Sequence, residues 1–488
     1  MRRDNLSHVV AMLSAAVCFL GVALARTGDM DSVIASSMST VLATVSGATK
    51  LTASDGATRD NFGISVAVSG DYAIVGAHRD DDNGTDSGSA YIFMRGGNNW
   101  VEQGKLIPGD GAADDRFGYS VAISGDYAIV GAYRDDDKGF DSGSAYIFVR
   151  TLSGWTEQAK LTAGDGAAGD NFGISVAIDG DHAIVGAYAD DDNGLDSGSA
   201  YVFVRSGSTW SQQAKLTAGL DGATQDYFGR SVAISGDYAI VGAYRDDDQG
   251  TDSGSAYVFM RDATGWTQQA KLTAGDGADG DQFGWSVAID GSYALVGAWL
   301  ATANDFQSGS AYVFVRSGSN WVEQAKLIAD DGQAQDFFGN SVSLSGAHAL
   351  IGAYGDDDTA IDSGSAYVFV RNGSTWTQRA KLTARDGTWF DNFGVSVSVN
   401  GKYTLIGADE DDDKGASSGS AYVFQTCYDF SGDALVGVED IQTVAAQWGK
   451  QSSDPNWDAI RQFDLDGDNA ITIIDVMLVA AAWGTPCS

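Results

Sequence analysis

The chain has 488 residues, a formal net charge of −37, 63 Gly, 3 Pro and 3 Cys, and 44% of it is hydrophobic. That is enough apolar material for a full core, which excludes global disorder. The acidic surplus argues against nucleic acid as a partner, because phosphate binding needs clustered Lys and Arg. Of the 66 acidic residues only Glu102, Glu157, Glu323, Glu410 and Glu439 are glutamate, so the other 61 are aspartate. Aspartate favours turns, caps and cation cages over helices, which predicts a loop-rich, mainly β protein.

At the amino terminus, Arg2 and Arg3 precede an apolar run over 9–25 that closes on Ala23-Leu24-Ala25. A charged start, a short apolar stretch and a small-x-small end predict a signal peptide over 1–25 and a secreted or cell-surface product. A retained anchor is the alternative, and the run is at the short limit for a span. No later segment is apolar enough to cross a bilayer, so no membrane span is expected after cleavage. Cys427 and Cys487 then remain, in a compartment that favours pairing.

Next comes a repeat. Phe-Gly pairs recur at Phe62, Phe117, Phe172, Phe228, Phe283, Phe338 and Phe393, at intervals of 55 or 56 residues. Each has an Asp two residues earlier, from Asp60 to Asp391, read as a turn cap. Within one unit the pattern predicts four strands. Phe172–Ile178 alternates large and small residues, Ala183–Ala187 is continuously apolar, Ser199–Arg205 alternates again, and Trp210–Leu216 is amphipathic. Four short strands repeated seven times imply a seven-bladed β-propeller over 26–426. The Trp strand occurs only six times, from Trp100 to Trp376, and the seventh unit ends at Phe424 without one. Lys50-Leu51 supplies the missing piece, so the amino-terminal segment is expected to complete the last sheet and close the ring. An open solenoid, the alternative, would leave an unpaired edge.

Phe-Gly-x-Ser-Val, Ile-Val-Gly-Ala and Gly-Ser-Ala-Tyr-Val-Phe together resemble the FG-GAP repeat, the blade unit of integrin α-subunit propellers and of many secreted bacterial proteins. The resemblance covers 50–426 and implies the fold; the scaffold hosts many roles. In the integrin pattern a calcium cage lies between the first two strands. Here that turn is only Ser-Gly-Asp or similar, so the cage does not carry over.

The acids stand one loop later. Asp80, Asp82 and Asp86 recur, with Asp81 between them, as Asp135, Asp137 and Asp141; Asp190, Asp192 and Asp196; Asp246, Asp248 and Asp252; and Asp356, Asp358 and Asp362. The seventh unit keeps Asp411, Asp412 and Asp413 but has Ser417 in the fourth place, and the fifth breaks down, with Ala303-Asn304-Asp305 and Gln307. Adjacent carboxylates repel unless something neutralises them, and Ca2+ with oxygen ligands does so. The alternative is a solvated acidic loop. Catalysis is not expected: the chain has no His-Glu-x-x-His and no Gly-Lys-Ser/Thr, and its one Gly-x-Ser-x-Gly match, Gly415-Ala416-Ser417-Ser418-Gly419, falls in the seventh copy of the repeated aspartate loop. Trp285, Trp299, Asn304 and Asp305 make the fifth unit irregular, and Trp389-Phe390 is a second aromatic oddity. They mark either a ligand face or drift between repeats.

After Phe424 the pattern changes. Asp429, Ser431, Asp433 and Asp440, then Asp464, Asp466, Asp468 and Asp475, occupy positions 1, 3, 5 and 12 of two calcium-loop spacings. Ile441, Val444, Ala445 and Trp448, and their twins Val476, Val479, Ala480 and Trp483, form helical stripes. This duplicated loop-helix resembles a type I dockerin over 427–488. The resemblance implies a small α-helical domain holding two Ca2+ ions and docking on a cohesin-like partner. Ser431 is a weak ligand and Ala434 replaces the usual turn residue, so the first loop departs from the family. Cys427 and Cys487 bracket the module, and a disulfide between them is expected, stabilising it by about 4 kcal/mol in the chain-entropy picture.

The reading is therefore a non-enzymatic, secreted calcium-binding protein, with a propeller recognition face for a protein or carbohydrate ligand and a docking tail. A polysaccharide-degrading enzyme and a passive surface-layer protein are the alternatives.

Overall fold

A computed structural model of the chain describes residues 48–96, 99–401 and 403–425, with a few positions between 442 and 451. Each repeat forms one antiparallel four-stranded sheet in simple meander order, and there are seven such sheets. Blade 1 comprises Phe62–Ser69, Tyr72–Ala77, Ser89–Gly96 and Asn99–Leu106. Blades 2 to 7 begin near Phe117, Phe172, Phe228, Phe283, Phe338 and Phe393. The first strand of each blade packs on that of the next, and blade 7 returns to blade 1, so the ring is closed.

The amino-terminal segment locks it. Blade 7 has Val397–Asn400, Tyr403–Ala408 and Ser420–Gln425 from its own repeat, and Thr49–Leu51 is its outer strand. Lys50 stands opposite Tyr422 in the antiparallel register. Sequence repeat and structural blade are thus out of phase by one strand, and no outer edge of the seventh sheet is left bare.

The core lies between blades. Ile74, Ala90, Ile92 and Leu106 of blade 1 pack against Phe117, Val121, Val130 and Tyr146 of blade 2. The same seam recurs round the ring and ends with Leu405 and Val423 of blade 7 against Phe62 and Tyr91 of blade 1. Phe62 meets Tyr91 and Phe93 edge-on at 5.4 and 6.0 Å. A fully buried Phe in such a seam stabilises by about 3–5 kcal/mol against truncation to Ala.

Close approach at the hub dictates glycine. A Cβ on Gly76 would lie 1.9 Å from the Gly118 carbonyl of the next blade, and Gly118 itself has φ +91. That positive φ bends the chain after each Phe. In blade 3 the result differs from the expected strand over Phe172–Ile178. Phe172 bridges Gly143 of blade 2, as Phe117 bridges Gly88 of blade 1, but regular pairing covers only Ser175–Asp179, a late start shared with Ser341–Ser345 and Val397–Asn400 of blades 6 and 7.

Candidate functional site

The start of each first strand, the end of each second strand and the aspartate loop all lie at one end of the ring. In blade 1, Asp80 follows the second strand and is buried, 4% exposed. It accepts the Asp82 backbone N–H at 3.1 Å, and the Tyr91 hydroxyl shares its proton between Asp80 and Asp55, each at 2.8 Å. The outer strand adds Lys105, whose Nζ stands 2.9 Å from Asp55, 2.8 Å from Asp80 and 2.7 Å from Asp82. Burial alone would lower the Lys105 pKa, but the bonds to Asp80, Asp82 and Asp55 outweigh it and hold the ammonium above its ordinary range. Burial likewise works to raise Asp55, yet its bonds to Lys105 and Tyr91 prevail and its carboxyl lies below the usual value.

The cluster repeats. Lys160 joins Asp110, Asp135 and Asp137; Lys215 joins Asp165, Asp190 and Asp192; Lys381 joins Asp331, Asp356 and Asp358. In blade 7 the cation is Lys50, with Asp386, Asp411 and Asp413. In the triads Asp55-Asp80-Asp82, Asp165-Asp190-Asp192 and Asp386-Asp411-Asp413, the oxygens lie within 4.8 Å of one another and could hold a metal ion. In the structure a lysine ammonium already stands among them. Blade 4 keeps Lys271 with Asp246 and Asp248, but one inserted residue draws Asp221 into a 3-10 turn and the third acid is lost. In blade 5 the buried Ala301 fills the Asp80 position, and Lys326 keeps Asp276 alone.

The fourth expected acid does other work. Asp86, Asp141, Asp196, Asp252 and Asp362 adopt left-handed φ of 49 to 55°. The backbone N–H of each donates to the carboxylate five residues earlier at 2.7–2.8 Å, as Asp86 does to Asp81. These are turn-closing bonds of the kind short polar side chains favour. The acid before each Phe caps a turn as expected. Asp60 accepts the Ala57 N–H, and Asp336 the Gln333 N–H, both at 2.7 Å. Burial, reinforced by Asp80 and only partly offset by the Ala57 bond, pushes Asp60 up to about 6; Asp336, beside Asp356, reaches about 7.

Sequence reasoning missed the Lys of the Ala-Lys-Leu strand and the Asp that stands 50 residues before it in blades 1, 2, 3, 5 and 6. The signal was available, since Lys105 follows Asp80 by 25 residues and the same interval separates Lys160 from Asp135.

Nearer the axis, the residues at equivalent blade positions differ, and most are aromatic. Tyr188, Tyr227, Tyr244 and Trp285 touch in series with ring centroids 5.5, 5.5 and 5.0 Å apart. Trp285 meets Trp299 at 4.7 Å, Trp299 meets Phe337 at 5.2 Å, and Phe337 stacks on Tyr354 at 5.2 Å. A shorter arc joins His78, Tyr119 and Tyr133. Most of these rings are partly exposed. Arginines sit on them: Arg134 5.5 Å from Tyr133, Arg230 4.4 Å from Trp285, Arg245 5.2 Å from Tyr227. His78 is pushed down to about 3 by burial and by Arg79, Arg116 and Arg134, whereas burial and Glu410 push Asp409 of blade 7 up to about 7.

Of the irregular residues in the fifth unit, Trp285 and Trp299 belong to this collar. Asn304 instead donates from Nδ2 to the Ala329 carbonyl, beyond the outer strand of its blade, at 2.8 Å, and Asp305 accepts the Phe306 N–H at 2.7 Å. Trp389 and Phe390 are exposed, with the Phe390 N–H donating to the Ile361 carbonyl. Asp429, Ser431, Asp433, Asp440, Asp464, Asp466, Asp468 and Asp475, Cys427 and Cys487, and residues 1–25 all lie outside the described residues. Within the first expected helical stripe, the Ala446 N–H donates to the Gln442 carbonyl at 2.9 Å and Val444 is buried. No helix among the described residues is long and apolar enough to cross a membrane.

Fold and geometry define a seven-bladed β-propeller with a non-repeating face. Comparison with known families matches the FG-GAP repeat at 46–93, 100–148, 155–203, 210–259, 266–314, 321–369 and 376–424, and the chain belongs to the FG-GAP repeat family. No curated protein matches it. Each matched unit begins at an outer strand and ends in the next blade, the same phase shift that closes the ring.

Proposed function

We propose that the chain is a secreted, non-enzymatic recognition module. Its propeller presents the collar to a ligand, and its carboxyl-terminal loop-helix pair binds Ca2+ and docks on a cohesin-like protein. The observation that supports this is the contrast at one end of the ring. The scaffold residues repeat blade after blade, while the position after Phe-Gly carries Ile, Tyr, Ile, Arg, Trp, Asn and Val in turn, and the position after Gly-Ala carries Tyr in four blades and His, Trp and Asp in the others. Repetition maintained for folding with divergence confined to one exposed surface is what a binding face needs. In the propeller loops lysine serves as the resident cation, and calcium belongs to Asp464, Asp466, Asp468 and Asp475 and, more weakly, to Asp429, Ser431, Asp433 and Asp440. Cys427–Cys487 pairing would then brace the tail.

The full chain is to be incubated with a panel of glycans and immobilised proteins, with reducing sugar measured in parallel. Saturable binding without sugar release supports the reading. Sustained sugar release would replace it with a glycan-cleaving enzyme, and self-association alone with a surface-layer protein.

A further inference from the structure

At both ends of the ring some arginines pair with carboxylates and some do not: Arg316 and Arg371, over Tyr238 and Tyr293 at the end away from the collar, make no ion pair among the described residues, while Arg116 and Arg245 on the collar side pair with Asp86 and Asp252. At the end away from the collar, Arg95, Arg150, Arg205 and Arg261 each pair with an aspartate of a neighbouring turn, Arg95 with Asp71 at 2.7 Å and Arg261 with Asp237 at 2.5 Å. On the collar, Arg79, Arg134 and Arg230 make no ion pair among the described residues, in a chain with 66 acidic residues and a net charge of −37. The Arg134 Nε and the His78 Nδ1 are buried with no hydrogen-bond partner among the described residues, as are the Nε atoms of Arg205, Arg316 and Arg371 at the other end. Arg230 lies 4.4 Å over the Trp285 ring, which fixes its plane while leaving its edge donors unused by any carboxylate. Through space Arg79 acts on Asp409 and Arg134 on Asp141, so what this face offers an anion is three guanidinium groups that lack a direct ion pair among the described residues.

Beside them run flat aromatic faces, partly exposed at Trp285 and Trp299. The negative face of an aromatic ring attracts the weakly positive C–H edges of a pyranose, and a guanidinium matches a carboxylate with two parallel hydrogen bonds. We infer that the collar binds an acidic glycan, a short pyranose chain bearing carboxylates. Trp285 and Trp299 supply the stacking faces, and Arg79, Arg134 and Arg230 receive the carboxylates. Asp409 and Glu410 of blade 7, with Glu410 accepting from Asn61 Nδ2 at 3.2 Å, put an acidic edge on one side. The ligand therefore lies over blades 1 to 6, and a long polyanion is disfavoured by the field of the whole chain. This assignment rests on the recognition-module reading above.

The probe is a galacturonate hexamer, with its fully methyl-esterified form as the uncharged counterpart, titrated calorimetrically into the full chain at low salt. Wild type should bind the acid hexamer saturably and at least tenfold more tightly than the ester. Arg230→Gln should weaken the acid hexamer about tenfold and leave the ester unchanged, while Trp299→Ala should weaken both. Arg261→Gln, at the opposite end, should change neither, and Glu410→Gln should tighten the acid hexamer. Melting curves accompany every variant, and Trp299→Tyr replaces Trp299→Ala if the latter does not fold. Absence of acid-hexamer binding, or wild-type affinity in Arg230→Gln, overturns the inference. If the acid hexamer fails while a neutral glycan or a protein binds, the recognition module stands and the acidic-glycan assignment falls. If nothing in the panel binds, both fall.

Discussion

Replacing Lys381 by Met tests whether lysine is what neutralises the aspartate loops. Methionine keeps an unbranched stem beside Tyr367, where the Lys381 Nζ stands 5.3 Å from the ring, but removes the charge. Lys381 is 2.7 Å from Asp356, with side chains 15% and 4% exposed. Removing one partner of a buried pair strands the other and costs about 3–5 kcal/mol. Asp331 and Asp358 are 42% and 45% exposed, so screening leaves their pairs with about 0–1 kcal/mol each. The fold contains its own control. In blade 5 the acid corresponding to Asp356 is Ala301, and Lys326 pairs only with Asp276, which is 57% exposed. Lys326→Met should therefore cost under about 1 kcal/mol. With an unfolding entropy of about 2.1 cal/mol/K per residue, a ring of this size loses about 1–2 °C per kcal/mol. Calorimetry should then show a Tm drop of about 3–6 °C for Lys381→Met and under about 2 °C for Lys326→Met. Equal drops in the two variants would refute the claim that a buried aspartate depends on its lysine.

Stability should fall as pH rises from about 4 to 7. Asp60 and Asp336 have folded pKa values near 6 and 7 against an ordinary 3.8, so the folded state holds their protons through that window and loses that advantage above it. Asp55 and its equivalents, held low by their lysines, contribute stability that disappears only as pH drops below about 4. Asp336→Asn keeps an acceptor for the Gln333 N–H, so its Tm should decline less between pH 5 and 7.5 than that of wild type; an unchanged decline counts against the assignment. Deleting residues 1–51 removes both the outer strand and the cation of blade 7. Hydrogen exchange should then show loss of protection over Tyr403–Ala408 and Ser420–Gln425, and retained protection there would contradict closure by the amino-terminal strand. Gly76→Ala would place a Cβ 1.9 Å from the Gly118 carbonyl, so no folded protein is expected; a folded variant with wild-type Tm would show that the hub is looser than described.

The repeat made the ring legible, because a 55-residue period with four strand-like runs has few other solutions, and the missing seventh Trp strand pointed to Lys50-Leu51. The turn-capping role of Asp60 was equally readable, since it concerns bonds within three residues. The lysine clusters were not. Asp55, Asp80 and Lys105 come from a loop between blades, the end of an inner strand and an outer strand, and only sheet pairing puts them in contact. Charge repulsion among Asp80, Asp81 and Asp82 was correctly sensed, but its remedy lay 25 residues away. The collar was legible only where it breaks the repeat, at Trp285 and Trp299. Tyr133, Tyr188, Tyr244 and Tyr354 recur at one repeat position and so read as scaffold, and only the ring geometry puts them in contact with the irregular residues. Phe172 showed the limit of a period-two pattern, because regular pairing in that blade begins only at Ser175.

The central claim concerns where cations reside: ammonium groups in the propeller, calcium in the tail. Equilibrium dialysis of the full chain against Ca2+, followed by metal analysis, measures it directly. The account predicts two ions per chain, both lost in a variant carrying Asp464→Asn, Asp468→Asn, Asp429→Asn and Asp433→Asn. Five or more ions per chain, or two that survive those substitutions, would contradict it.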